Sequence, residues 1–125
     1  MPPGDILRSF PSPAGVPTGL TFVGRTLFHT DFTANLIYQL DPRDGAVERS
    51  YAAPGSDPTG LALDGRTLWN SDRASDTIYQ LDPRDGTILR SFPTPSGDGF
   101  GLAWDGRTLW HDDIGPDLIY QLSVT

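Results

Sequence analysis

Short runs of four to six largely apolar residues follow one another along the chain, each closed by Gly, Pro or Asp, and none sustains a helical 3.6-residue stripe. Four kinds of run recur in a fixed order, labelled A to D. Run A is Gly19–Phe22, Gly60–Leu63 and Gly101–Trp104. Run B is Thr26–Thr30, Thr67–Ser71 and Thr108–Asp112, and run C is Leu36–Leu40, Thr77–Leu81 and Leu118–Leu122. Run D is Ala46–Tyr51 and Thr87–Phe92, with a further copy at Asp5–Phe10. Each reads as a β-strand. Asp64-Gly65 and Asp105-Gly106, with Val23-Gly24 in the first copy, predict type I′ hairpins between A and B. The stretch Asp41–Gly45, repeated at Asp82–Gly86, predicts a C–D turn in which Pro presets φ and the final Gly takes φ > 0.

The period decides the architecture. Gly24, Gly65 and Gly106 are 41 residues apart, as are Tyr38, Tyr79 and Tyr120. Four antiparallel strands in such a unit are the signature of a β-propeller blade. Adjacent apolar pairs such as Leu68-Trp69 and Ile78-Tyr79 fit sheets buried on both faces. The expectation is an all-β chain in the order D-ABC-D-ABC-D-ABC, one half-propeller domain over residues 1–125 with repeats 1–40, 41–81 and 82–125. Met1 is in register with Pro42 and Thr125 with Arg84, so both ends fall in one C–D turn. Propellers need four or more blades to close. Three blades therefore predict a homodimer forming a six-bladed ring, in which Asp5–Phe10 completes the partner's last blade, begun by Gly101–Leu122.

Composition narrows the chemistry. The net charge is −7, Glu48 is the single glutamate, and all nine basic residues are arginine. Without a basic stripe the chain has nothing to replace phosphate counterions, which argues against nucleic acid and anionic membranes as partners. Fourteen Gly and twelve Pro suit a turn-rich β protein, and the lack of Cys excludes disulfides and thiolate zinc sites. The opening MPPGDILRSF has no basic and apolar leader pattern, so the expected location is cytoplasmic.

The A–B and C–D turns are repeated nearly verbatim, whereas the D–A connections and B–C loops differ between units. Variable loops on a rigid scaffold commonly bind, so the loop face is the candidate surface for a small molecule, a glycan or a protein. Candidate ligand-binding residues are His29, Asn70 and His111, which share one place in the repeat, with Asp57 and Asp98 at the start of run A. His29, His111, Asp112 and Asp113 are the candidates for a divalent metal, although no cofactor is required by any motif. Against this, strand-B residues commonly pack between blades. Asp31, Asp72 and Asp113 recur at the end of run B, where a carboxylate can fix the following loop. Phe28, Trp69 and Trp110 could stack sugars, but their fixed place in every unit fits inter-blade packing.

The pattern GLAWDGRTLW…D…IYQLDP-DG-ILRSF resembles blades of the NHL, SMP-30/gluconolactonase and glutamine-cyclotransferase type. That resemblance implies six blades. Metal-dependent lactonases of this type use a Glu, Asn and Asp cage, whereas here the only glutamate is Glu48, on an outer run D, and the only asparagines are Asn35 and Asn70. The first reading is therefore a non-enzymatic interaction or ligand-binding scaffold. A metal-dependent lactonase- or lyase-like enzyme with its site in the channel is the alternative, and a carbohydrate-binding propeller lectin is third.

Overall fold

The computed structural model describes residues 2–125. Eleven strands follow one another: β1 Pro17–Val23, β2 Thr26–Asp31, β3 Leu36–Leu40, β4 Val47–Ala52, β5 Pro58–Leu63, β6 Leu68–Asp72, β7 Thr77–Leu81, β8 Ile88–Pro93, β9 Gly99–Trp104, β10 Leu109–Asp113 and β11 Leu118–Leu122. They form three antiparallel meanders, β1-β2-β3-β4, β5-β6-β7-β8 and β9-β10-β11. The three sheets are the expected blades, with innermost strands β1, β5 and β9 side by side.

Two expectations are corrected. The A–B turns are not type I′, because that turn needs positive φ at both central residues. Positive φ falls on Gly24 (64°), Gly65 (95°) and Gly106 (101°), each followed by an arginine without it. The preceding aspartate caps instead: Asp64 Oδ1 accepts from the backbone N–H groups of Arg66 (2.9 Å) and Thr67 (2.7 Å), and Asp105 repeats the arrangement. The other correction concerns Asp5–Phe10, which forms no strand. A β-strand exists only with an edge to pair, and no edge in this chain reaches it.

The C–D turn forms as expected. Gly45 adopts a φ of 78°, its N–H donates to the Asp41 carbonyl at 2.8 Å, and Asp41 Oδ1 accepts from Arg43 N at 2.9 Å. The Arg43 side chain also donates to Asp41. This holds the Asp41 carboxyl down at about 2, and Arg84 does the same for Asp82.

Packing runs from blade to blade. Phe28 and Ile37 of the first sheet bury against Leu61, Leu68 and Leu81 of the second. Ala62, Trp69 and Ile78 of the second bury against Leu109, with Leu102 and Leu122 of the third alongside. Each sheet thus has a forward face, toward the next blade, and a rear face. Partly buried polar contacts join neighbouring blades as well. Thr18 Oγ1 donates to the Pro58 carbonyl (2.9 Å) and Ser71 Oγ to the Phe100 carbonyl (3.0 Å). A Cβ on Gly19 would stand 2.9 Å from the Thr59 carbonyl oxygen, and one on Gly60 would run into the Phe100 carbonyl, so these approaches need glycine.

The middle blade is sealed on both sides, and every residue of β6 is buried. In the last blade burial alternates strictly along β10: Leu109, His111 and Asp113 are buried, Trp110 and Asp112 are exposed. Its rear face is covered and its forward face is open.

Candidate functional site

His29, Asn70 and His111 occupy one register position, each paired across its sheet with a strand-C tyrosine: Tyr38, Tyr79 and Tyr120. All three lie buried behind the inner strands. His29 Nδ1 is 3.1 Å from the Gly19 carbonyl, Asn70 Nδ2 donates to Gly60 O at 3.0 Å, and His111 Nδ1 is 2.9 Å from Gly101 O. A carbonyl only accepts, so both imidazoles carry a hydrogen on Nδ1. The remaining polar atoms, His29 Nε2, Asn70 Oδ1 and His111 Nε2, are buried with no partner in the chain.

The strand-B aspartates join two loops each. Asp31 accepts from Val16 N (3.0 Å) and Ala34 N (2.9 Å), and Asp72 from Asp57 N (2.9 Å) and Ser75 N (2.9 Å). Asp113 accepts from Asp98 N (3.2 Å) and Gly115 N (2.9 Å). One carboxylate thus ties each D–A connection to the neighbouring B–C loop, so variable sequence hangs on a constant frame. Asn35, Asp76 and Asp117 complete it with φ of 57°, 51° and 58°, a left-handed conformation that Asn and Asp tolerate. Sequence reasoning missed these three, although an Asn or Asp before run C at every repeat was available as a signal.

The other candidates scatter. Asp57 is half-buried at the start of β5, while Asp98 pairs with Arg73 at 3.1 Å, and that guanidinium also covers the Phe100 ring at 5.0 Å. Asp112, exposed on the forward face of β10, accepts from Gly101 N at 2.6 Å. Among the described residues no three His, Cys, Asp or Glu side chains come together, so a metal cage is not assembled from His29, His111, Asp112 and Asp113 within one chain.

A cleft of about 560 Å³ opens on the rear face of the first blade, lined by Phe10, Leu20, Leu27, His29 and Leu40 with Arg8 at its edge. Leu20 is 65% exposed. At the other end, Trp110 (37%) and Ile119 (75%) stand out on the forward face of the third blade.

No protein-family model matches the sequence, and no curated protein does either. Solved structures do. A glutaminyl cyclase from Myxococcus xanthus superposes with a TM-score of 0.73 at 13% identity, over 86% of this chain and 55% of that one. The WD40 β-propeller domain of Doa1 gives 0.70 at 15%, over 88% and 37%. Virginiamycin B lyase from Staphylococcus aureus gives 0.66 at 21%, over 93% and 44%. The chain spans about half the length, or less, of these structures. At such identities the likeness carries the fold: the chain is a β-propeller of three blades, in keeping with the glutamine-cyclotransferase-like resemblance of its repeats.

Proposed function

We propose that the chain is a non-enzymatic half-propeller that joins a second copy in a six-bladed ring and presents its D–A and B–C loops as an interaction or ligand-binding surface. One observation carries this reading: the open features at its two ends are complementary. The hexapeptide ILRSFP occurs as β8, paired with the IYQL sequence of β7, and again at residues 6–11, where it pairs with nothing in the chain. The strand β11 carries IYQL as well, with no strand on its outer edge.

Residues 6–11 are nonetheless held as an outer strand is held. Arg8 Nη1 donates to the Pro42 carbonyl (3.1 Å), as Arg49 Nη1 does to Arg84 O (2.9 Å). Trp69 and Ile78 are enclosed by Phe92, Leu102, Leu109 and Leu122. Two repeats earlier, those four positions are Phe10, Leu20, Leu27 and Leu40, which line the empty cleft. One repeat later than Trp69 and Ile78 stand Trp110 and Ile119, exposed. The cleft thus has the surroundings of a Trp–Ile pair, and a second copy supplies that pair.

The enzyme reading lacks its glutamate in place, because Glu48 is exposed on the outer strand β4. The lectin reading loses Trp69, which has no exposed surface. Light scattering tests the assembly: the mass should be about twice the 13.6 kDa of the chain, and removing residues 1–10 should give a monomer. A stable monomer of the intact chain overturns the ring. For the surface, a glycan-array signal would favour the lectin, and metal lost on His111→Ala would favour the enzyme.

A further inference from the structure

On the second blade an arginine of the outer strand is held by two side chains of its own sheet. Arg90 on β8 pairs with Gln80 on β7 across the ladder. Its Nε donates to Gln80 Oε1 at 2.6 Å, and its guanidinium covers the Trp69 ring at 5.5 Å. Both receiving groups are fixed from behind. Trp69 Nε1 donates to Asp64 Oδ2 (3.0 Å), Thr67 Oγ1 donates to the same oxygen (2.6 Å), and Gln80 Nε2 donates to Thr67 Oγ1 (2.8 Å).

The third blade repeats this scaffold but has no outer strand to bring the arginine. Trp110 Nε1 donates to Asp105 Oδ2 at 2.8 Å, Thr108 Oγ1 to the same oxygen at 2.6 Å, and Gln121 Nε2 to Thr108 Oγ1 at 2.9 Å. With its amide nitrogen held by Thr108, Gln121 turns Oε1, an acceptor, to the place where Gln80 meets Arg90. The Trp110 ring is exposed, whereas that of Trp69 is covered. The first blade does not share the arrangement. Phe28 stands at the tryptophan position there, and Gln39 Nε2 reaches Glu48 at 3.4 Å.

We propose that Trp110 and Gln121 form a guanidinium site on the outer edge of the third blade, which admits an extended strand carrying arginine opposite Gln121, and that its occupant is Arg8 of a second copy. The inference rests on the ring proposed above and assigns the contact that sets its register. Gln121 lies one repeat after Gln80, and Arg8 two repeats before Arg90, within the same ILRSFP sequence. A slip of one residue would put Leu7 or Ser9 opposite Gln121 and turn every side chain of the strand to the wrong face. Arg8 can serve both chains at once. Its Nη1 donates to the Pro42 and Arg43 carbonyls of its own chain (3.1 and 3.4 Å), as Arg49 Nη1 donates to Arg84 O. Neither bond uses Nε, the atom through which Arg90 reaches Gln80. A planar guanidinium stacks on an indole and donates in its own plane at the same time, which an ammonium does not.

Dimer dissociation constants of the full chain, measured by analytical ultracentrifugation, test the site. Arg8→Ala removes a cation–π contact and a charged hydrogen bond at each junction, and should weaken the dimer about 10-fold per junction and about 100-fold for a ring with two. Arg8→Lys should recover only a small part of this. Gln121→Ala should weaken the dimer about 10-fold, and should add little once Arg8 is already alanine, because the two residues share one contact. Arg49→Ala breaks the same kind of carbonyl contact inside the chain and should leave the constant unchanged. The site is overturned by single effects that multiply in the Arg8→Ala/Gln121→Ala variant, by Arg8→Lys matching wild type, or by Arg49→Ala losing as much as Arg8→Ala.

An intact chain that stays monomeric sinks the ring, and the site is then measured directly on that monomer. A fluorescein-labelled peptide of residues 5–11 should bind it, and citrulline in place of the arginine should weaken binding about 10-fold. Equal binding of the two peptides, or binding of neither, overturns the site as well.

Discussion

The backbone of Gly45 lies flat against the ring of Phe10, as that of Gly86 lies against the ring of Tyr51. A side chain at either glycine would enter the aromatic ring. The Tyr51 hydroxyl then donates to the Pro83 carbonyl at 3.1 Å, and burial pushes that phenol up to about 12. The outer strand β4 is thus fastened to the C–D turn of the following blade, and residues 6–11 are fastened in the same way to the C–D turn at Asp41–Gly45 although they have no pairing edge.

Gly86→Ala should lower stability by about 2–4 kcal/mol in urea unfolding, combining the strain of positive φ with displacement of the Tyr51 ring. Gly65→Ala provides the comparison. It has a similar φ of 95° and nothing within 4 Å, so it should cost only about 1–2 kcal/mol. Equal losses would remove the aromatic contact as the cause.

The two tryptophans at equivalent places should behave oppositely. Trp69→Ala empties a sealed position between blades and should cost about 3–5 kcal/mol of fold stability. Trp110→Ala should leave circular dichroism of the chain unchanged and shift the mass in light scattering toward the monomer. A Trp110→Ala protein that remains dimeric would show that this face does not close the ring.

Acid should act on the C–D turns. Asp41 and Asp82 are held at about 2, first by hydrogen bonds from the side chains of Arg43 and Arg84. A depressed carboxyl contributes stability that is complete above the unfolded range near about 4 and is lost as pH falls toward about 2. Thermal unfolding should therefore change little from neutral pH to about pH 5 and drop below that, and the Asp41→Asn/Asp82→Asn double variant should show a shallower acid limb.

The Arg73–Asp98 ion pair between the second and third blades has an apolar counterpart at the ends of the chain. One repeat after Arg73 is Ile114, and two repeats before Asp98 is Val16, both exposed. Ile114→Arg alone should weaken dimerisation, and adding Val16→Asp should recover part of the loss. A double variant no tighter than the single one would place these residues apart.

Blade boundaries were legible because Gly24, Gly65 and Gly106 mark them at a constant spacing. The type I′ expectation at Asp64-Gly65 fails, since propensity for Asp-Gly does not reveal that the Asp64 side chain caps the amides of Arg66 and Thr67. The shared register of His29, Asn70 and His111 was legible in the spacing, but their burial behind the inner strands depends on carbonyls ten residues away in the chain and facing them in space. The clamps at Asp31, Asp72 and Asp113 each bridge two loops, a long-range arrangement that a pattern of single residues cannot show. At residues 6–11 the local sequence is that of β8, and only the absence of an edge changes the outcome.

Within the first two blades, each strand pairs with its neighbour in the chain, giving topologies of low contact order that fold quickly. The middle blade seals Trp69 with residues of its own chain, so its burial after dilution from denaturant should follow a rate independent of concentration. In the proposed ring Trp110 is covered only when two copies meet, and its burial should be second order. The two indoles would then time separate events in one refolding experiment, the making of the blades and the closing of the ring.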